Sequence, residues 1–171
     1  MNWLGEIVAG RVRPSDEVLD LGCGIMPATG GRLHCKRHVG VDGFKPYLDL
    51  IGPPCVCGRL PEVLERFESR SFDVVLLLDV VEHLDKPDAL AAIAAAETIA
   101  RREVIVFTPD GFVPQAGFSA WGLGLNQDQA HRCGFTFDEL AAMGYACTLH
   151  DNVTLQAGEI VSVLGIKPVQ T

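Results

Sequence analysis

The sequence has no uninterrupted apolar run near the ~20 residues needed to span a bilayer. Its opening stretch, MNWLGEIVAGRVRPSDE, lacks both the basic start and the long apolar centre of a secretion signal. No membrane partner is expected, and the cytoplasm is the expected location. Basic charge is also scarce: 14 Lys and Arg stand against 22 Asp and Glu, a net charge of −8. That balance repels a phosphate backbone over a screening length of about 8 Å, so no nucleic-acid partner is expected. The six cysteines, Cys23, Cys35, Cys55, Cys57, Cys133 and Cys147, do not read as the disulfide framework of an exported domain, because 48% hydrophobic content builds a core without staples. Free thiols are expected instead. His34, Cys35, His38, Cys55 and Cys57 lack a recognised zinc-ligand spacing, and no metal is expected. Internal repeats and low-complexity tracts are missing as well, and nothing signals an oligomeric state.

What is present is an alternation of apolar runs and helix-like segments over 171 residues, the pattern of one α/β domain spanning 1–171 with a mostly parallel sheet. An opening helix is predicted from Trp3 to Arg11, followed by strands at Glu17–Leu21, His38–Asp42, Cys55–Cys57 and Phe72–Leu78. The run VVLLL before Asp79 has no alternation and reads as a central strand covered on both faces. DKPDALAAIAAAETIARR reads as a helix with Asp85 as N-cap, Pro87 in the first turn, Leu90, Ile93 and Ala94 as its buried stripe, and arginines in the last turn. EVIVFT is the fifth strand. In TFDELAAMGY a short helix is expected, with Thr136 and Glu139 forming a capping box and Gly144 at its end. The last strands, 145–151 and 160–166, are too close in sequence for a parallel crossover and are expected to pair antiparallel.

The most informative stretch is VLDLGCGIM, a strand-like run leading into Gly22 and Gly24. A dinucleotide fingerprint would place a third glycine at position 27, but that residue is Pro27. Asp20 also puts a carboxylate where a pyrophosphate would lie. A cationic, phosphate-free ligand suits such a turn better.

DLGCG (20–24), VGVD (39–42) and FDVVLLLDVVEHL (72–84), in this order, resemble the class I S-adenosylmethionine-dependent methyltransferases. The resemblance extends through TPDGF and HRCGFTFDELAAMGY to the final strand pair. It implies a Rossmann-like, doubly wound three-layer sandwich whose seven-stranded, mostly parallel sheet has an antiparallel last strand. It further implies S-adenosylmethionine as cofactor. By the resemblance, Asp20, Gly22, Cys23 and Gly24 hold the methionine portion, and Asp42 accepts hydrogen bonds from the ribose hydroxyls. Gly43 and Phe44 flank the adenine, and Asp79 lies near the methionine ammonium; where the family has an acid after the third strand, backbone groups and Leu60 are expected to hold the adenine instead. Two departures stand out. CVCGRL offers no acid for the adenine amine after the third strand, and IMPATGGRLHC is a poor helix former, so the first crossover should be short or irregular.

Each residue also has a structural reading: the glycines as a tight turn, Asp42 and Asp79 as caps, Glu82 and His83 as partners of local backbone groups. Together, three acids at the carboxyl ends of three apolar strands mark the rim where open α/β sheets bind ligands. The aperiodic stretch from 109 to 135 is too long for an ordinary connection. It offers Phe112, Phe118 and Trp121 as apolar substrate wall, Gln115, Asp128 and Gln129 as polar groups, and His131, whose ordinary pKa of ~6.5 suits it as a general base. The expected activity is methyl transfer to an oxygen or nitrogen of a small-molecule substrate. A non-catalytic S-adenosylmethionine-binding module and an NAD(P)-dependent oxidoreductase stay open as alternatives.

Overall fold

The computed structural model describes residues 3–119, 121–154 and 158–169, apart from the side chains of residues 153 and 154. Seven strands form one sheet: β1 (Glu17–Leu21), β2 (Arg37–Asp42), β3 (Cys55–Cys57), β4 (Phe72–Leu78), β5 (Ala100–Pro109), β6 (Ala146–Thr154) and β7 (Gly158–Pro168). Their order across the sheet is β3-β2-β1-β4-β5-β7-β6. The first five run parallel, while β7 pairs antiparallel with both β5 and β6. The chain therefore winds outward from β1 to β3, returns to β4, and winds the other way. That reversal leaves a crevice between the carboxyl ends of β1 and β4.

The alternation of side chains along the strands explains both covering layers. Leu19, Leu21, Val75, Leu77, Val104 and Val106 face a layer made by α3 (Lys86–Ile99), α4 (Phe137–Ala142) and a 3₁₀ turn at Glu62–Arg66. Val18, Val74, Leu76, Leu78, Ile105 and Phe107 face α1 (Trp3–Arg11), which inserts Leu4 and Val8. With both faces covered, β4 is buried almost throughout, as its unbroken apolar run requires.

Where the IMPATGGRLHC segment fails to form a helix, the chain turns irregularly between β1 and β2. Met26 and Cys23 pack there against the face of β2 left open by Gly40, where a Cβ would lie 2.7 Å from the Cys23 sulfur. With Leu48 of α2 (Lys45–Ile51) they form a small separate core.

Two expectations about α3 need correction, its buried stripe and its last-turn arginines, while Asp85 is the N-cap as expected. The buried stripe is Ala89, Ala92, Ile93, Ala96 and Ile99, while Leu90 is 41% exposed and Ala94 is also exposed. Alanines face the sheet because small side chains let the helix lie close against β4 and β5. Asp85 stands at the N-cap in extended conformation but makes no side-chain capping bond. Arg101 and Arg102 belong to β5, since the strand starts at Ala100, directly after the helix. The capping box of Thr136 and Glu139 forms as expected. Among the described residues no helix is long and apolar enough to cross a membrane.

Candidate functional site

Two adjoining cavities, of about 200 and 290 Å³, open at the carboxyl ends of β1, β2 and β4, and Gly22, Asp79, His83 and Gln129 border both. The smaller is lined by Asp42, Gly43 and Leu60, the larger by Asp20, Cys23, Gly24, Trp121 and His131. Of the cofactor- and substrate-site candidates named from the sequence, all but Phe44 and Phe112 thus meet in one crevice. Phe44 and Phe112 border neither cavity. Phe44 packs its ring edge-on against Tyr47, and Phe112 is 58% exposed on the long connection.

The turn after β1 needs glycine. Gly22 has φ +67°, and a Cβ there would lie 2.1 Å from Val80 Cγ2. Asp42 closes the turn from the neighbouring strand: its two carboxylate oxygens accept the Gly24 N–H at 2.9 Å and the Phe44 N–H at 2.7 Å. Burial raises its pKa against the pull of these two donors.

Asp20 is buried and faces His38, whose Nε2 lies 3.2 Å from Oδ2. The Leu33 N–H donates to His38 Nδ1 at 3.0 Å, so the ring proton sits on Nε2 and is donated to Asp20. A neutral imidazole thus supports the carboxylate from behind.

Asp79 follows β4 with a left-handed φ of +53°, unusual outside glycine, and its N–H donates to the Phe107 carbonyl. It opens into both cavities, yet surrounding protein and the Glu82 charge hold its carboxyl well above the usual range. The two carboxyls lie close enough that each shifts the other's titration. Glu82 is itself buried, accepts the Thr108 hydroxyl at 3.0 Å, and is pushed by burial up to about 7. It therefore belongs to the cavity wall, as its neighbour His83 does.

The connection from 110 to 135 folds across this rim. The Glu82 carbonyl accepts N–H groups from Arg132 and Cys133, Arg59 pairs with Asp128 at 3.1 Å, and Trp121 meets Tyr47 edge-on at 5.4 Å. His131 is pinned by its Nδ1, 2.6 Å from the Val113 carbonyl, and its ring centre is 4.8 Å from that of His83. His83 Nδ1 lies 3.3 Å from the Ala130 carbonyl. Burial lowers the pKa of both imidazoles, which favours their neutral forms. Within the described residues, Glu82, His83 and His131 are the one group of three whose ligand atoms converge, whereas the cysteines and histidines between 34 and 57 form no such group. Nothing in the sequence spacing joins residues 82 and 131, so this convergence was invisible along the chain.

No protein-family model matches the chain, and no curated protein matches it in sequence. Solved structures do resemble it. A SAM-dependent methyltransferase from Methanosarcina mazei superposes with a TM-score of 0.67 at 14% identity, over 95% of this chain and 96% of that one. The fold is that of the S-adenosylmethionine-dependent methyltransferases. The 1,6-didemethyltoxoflavin-N1-methyltransferase of Burkholderia thailandensis gives a TM-score of 0.63 at 17% identity, over 98% of this chain and 77% of the other. The methyltransferase domain of a bacterial CtHen1 gives 0.58 at 20% identity, over 98% and 97%. Within the methyltransferase fold, the crevice between β1 and β4 is the switch point at which open α/β sheets take their ligands.

Proposed function

We propose that this chain transfers a methyl group from S-adenosylmethionine to an oxygen or nitrogen atom of a small molecule, in the cytoplasm, where its six unpaired thiols stay reduced. The observation that carries this reading is the set of acids Asp20, Asp42 and Asp79 around the Gly22 turn, none of them paired with Lys or Arg among the described residues. A crevice lined in this way favours a cationic, phosphate-free ligand over a pyrophosphate. The absence of a helix after Gly24 also supports it, because a dinucleotide would lack the N-terminal dipole that receives its phosphates.

In this reading the smaller cavity takes the adenosine. Asp42, oriented by its two backbone donors, offers its remaining lone pairs to the ribose hydroxyls, while Gly43 and Leu60 border the base. Phe44 serves through its N–H on Asp42 rather than through its ring. Gly22, Cys23 and Gly24 let backbone approach the methionine portion, with Asp20 and Asp79 facing its ammonium. When bound, the cofactor supplies an electrophilic methyl group. The protein must then hold the acceptor in line, exclude water and remove a proton. Trp121 and Phe118 wall the larger cavity. His131, with its Nδ1 proton engaged by Val113, presents an Nε2 lone pair for proton removal or for a hydrogen bond to the acceptor.

Calorimetric titration with S-adenosylmethionine, S-adenosylhomocysteine, NAD and NADP tests the cofactor. Mass spectrometry of a metabolite extract incubated with methyl-labelled S-adenosylmethionine tests the transfer. Binding of the two sulfur nucleosides together with a labelled small-molecule product is the expected result. Binding of NAD alone overturns the reading, and cofactor binding without any product leaves the non-catalytic module.

A further inference from the structure

We infer that Glu82, His83 and His131 form a binding site for one divalent first-row transition-metal ion, with Asp79 beside it. Their ligand atoms lie within 4.8 Å of one another. Bonds of about 2.1 Å place neighbouring ligands roughly 3–4 Å apart, so side-chain rotations alone can close the set around an ion.

The hydrogen bonds support the same arrangement. Each imidazole is anchored through Nδ1 by a backbone carbonyl, Val113 for His131 and Ala130 for His83. That fixes the tautomer and leaves Nε2 as the lone-pair nitrogen, which is how metal-binding histidines are commonly held. Thr108 orients the Glu82 carboxylate in the same way. The charge arrangement points there independently. Glu82 is 2% exposed and touches a second carboxyl, and among the described residues no Lys or Arg is paired with Asp79 or Glu82. Two adjacent carboxyls in a desolvated pocket cannot both stay ionised by themselves, and a cation between them relieves that conflict as a shared proton does, while letting both ionise.

Two imidazole nitrogens and carboxylate oxygens suit Mn²⁺, Fe²⁺, Co²⁺ or Zn²⁺ better than Mg²⁺ or Ca²⁺. The same wall borders the cavity assigned to the acceptor, so an acceptor hydroxyl can complete the coordination; the ion then lowers its pKa so that its proton leaves to water before the oxygen takes the methyl group, and His131 serves as ligand instead of base. That last step rests on the methyl-transfer reading; the ion site itself does not.

Protein stripped with a chelator is titrated by calorimetry with Mn²⁺, Co²⁺ and Zn²⁺, and with Mg²⁺ as the hard-cation control. The expected result is one transition-metal ion per chain, a raised melting temperature and much weaker Mg²⁺ binding. Glu82→Gln and His131→Ala should each weaken binding about 100-fold or more, beyond the roughly 10–100-fold typical of losing an outer partner. A Cys55→Ser, Cys57→Ser double variant should bind as the parent does. If His131→Ala misfolds, His131→Asp retains a ligand, and its Co²⁺ absorption spectrum must differ from the parent's. No stoichiometric ion on the folded parent, undiminished binding in Glu82→Gln and His131→Ala, an unchanged spectrum in His131→Asp, or loss of binding in the cysteine variant overturns the site. S-adenosylhomocysteine is titrated in parallel with chelator present. Ion uptake without nucleoside binding sustains the ion site and removes the methyl-transfer reading; nucleoside binding without ion uptake does the reverse.

Discussion

At the amino ends of the strands, acids meet cations. Asp16 pairs with Arg102, Glu103 with Arg11 and Arg102, Asp73 with Arg101, and Glu17 with Lys36, Arg37 and Arg101. At the carboxyl ends, Asp20 faces a neutral imidazole, Asp42 holds two backbone N–H groups, and Asp79 and Glu82 face each other. The same residue types therefore do different work at the two ends. Paired acids lock strand to strand and strand to α1. Those at the crevice have no arginine or lysine partner among the described residues and rest instead on an imidazole, on backbone N–H groups or on each other.

The largest effect that separates the two ends is on stability. Arg102→Ala leaves buried Asp16 without its arginine and Glu103 with one fewer, which costs about 3 kcal/mol. For a chain of this size that is a fall of roughly 6–12 °C in melting temperature. Affinity for S-adenosylhomocysteine, measured on the folded variant, should stay within about twofold. A large loss of affinity would show that the two ends are not independent.

Asp42→Asn should show the opposite pattern. A charge-assisted hydrogen bond contributes ~1.5–3 kcal/mol, so S-adenosylhomocysteine affinity should fall by tenfold or more by calorimetry. The amide oxygen still accepts one of the two backbone donors, and losing the other costs about 1 kcal/mol, roughly 2–4 °C in melting temperature and well below the effect of Arg102→Ala.

Next come the two exposed aromatics of the long connection. With the acceptor found by the product screen, Trp121→Ala should raise KM by about tenfold, an effect of ~1.4 kcal/mol, since Trp121 borders the larger cavity. Phe112→Ala should leave KM and kcat unchanged, because Phe112 borders neither cavity.

The smallest effect is in the pH dependence of stability. Lys36 and Arg101 hold Glu17 below the usual carboxylate range, and Arg101 does the same for Asp73. Both groups bind protons more readily unfolded than folded. Their contribution is complete above the ordinary carboxylate pKa of about 4 and is lost as pH falls through their lowered folded-state values. Urea denaturation between pH 6 and 3 should show this fall, and Arg101→Gln should flatten it by up to about 1 kcal/mol, the scale of exposed pairs.

Much of this fold is legible along the chain because the signals are local. A strand buried on both faces must be an unbroken apolar run, so β4 reads directly from VVLLL. Thr136 and Glu139 reach each other within one helical turn, so their capping box reads directly as well. Pro27 with Gly30 and Gly31 rules out a regular first crossover, and none forms. Asp20, Asp42 and Asp79 could be brought to one rim on paper, because parallel strands all present their carboxyl ends on the same side.

Folding in three dimensions decided the rest, wherever distance or rotation matters. The phase of α3 depends on how closely the helix approaches β4 and β5, so the apolar Leu90 faces water and small alanines face the sheet. Phe44 and Phe112 look like ligand-facing aromatics in sequence, yet one packs on Tyr47 and the other points to solvent. Asp20 looks free until β2 places His38 behind it. Glu82 and His83 lie 48 or more residues from His131, and only the path of the connection across the rim, held by the Glu82 carbonyl, brings the three together. Local chemistry sets which elements form, and packing between distant segments sets which side chains share a pocket.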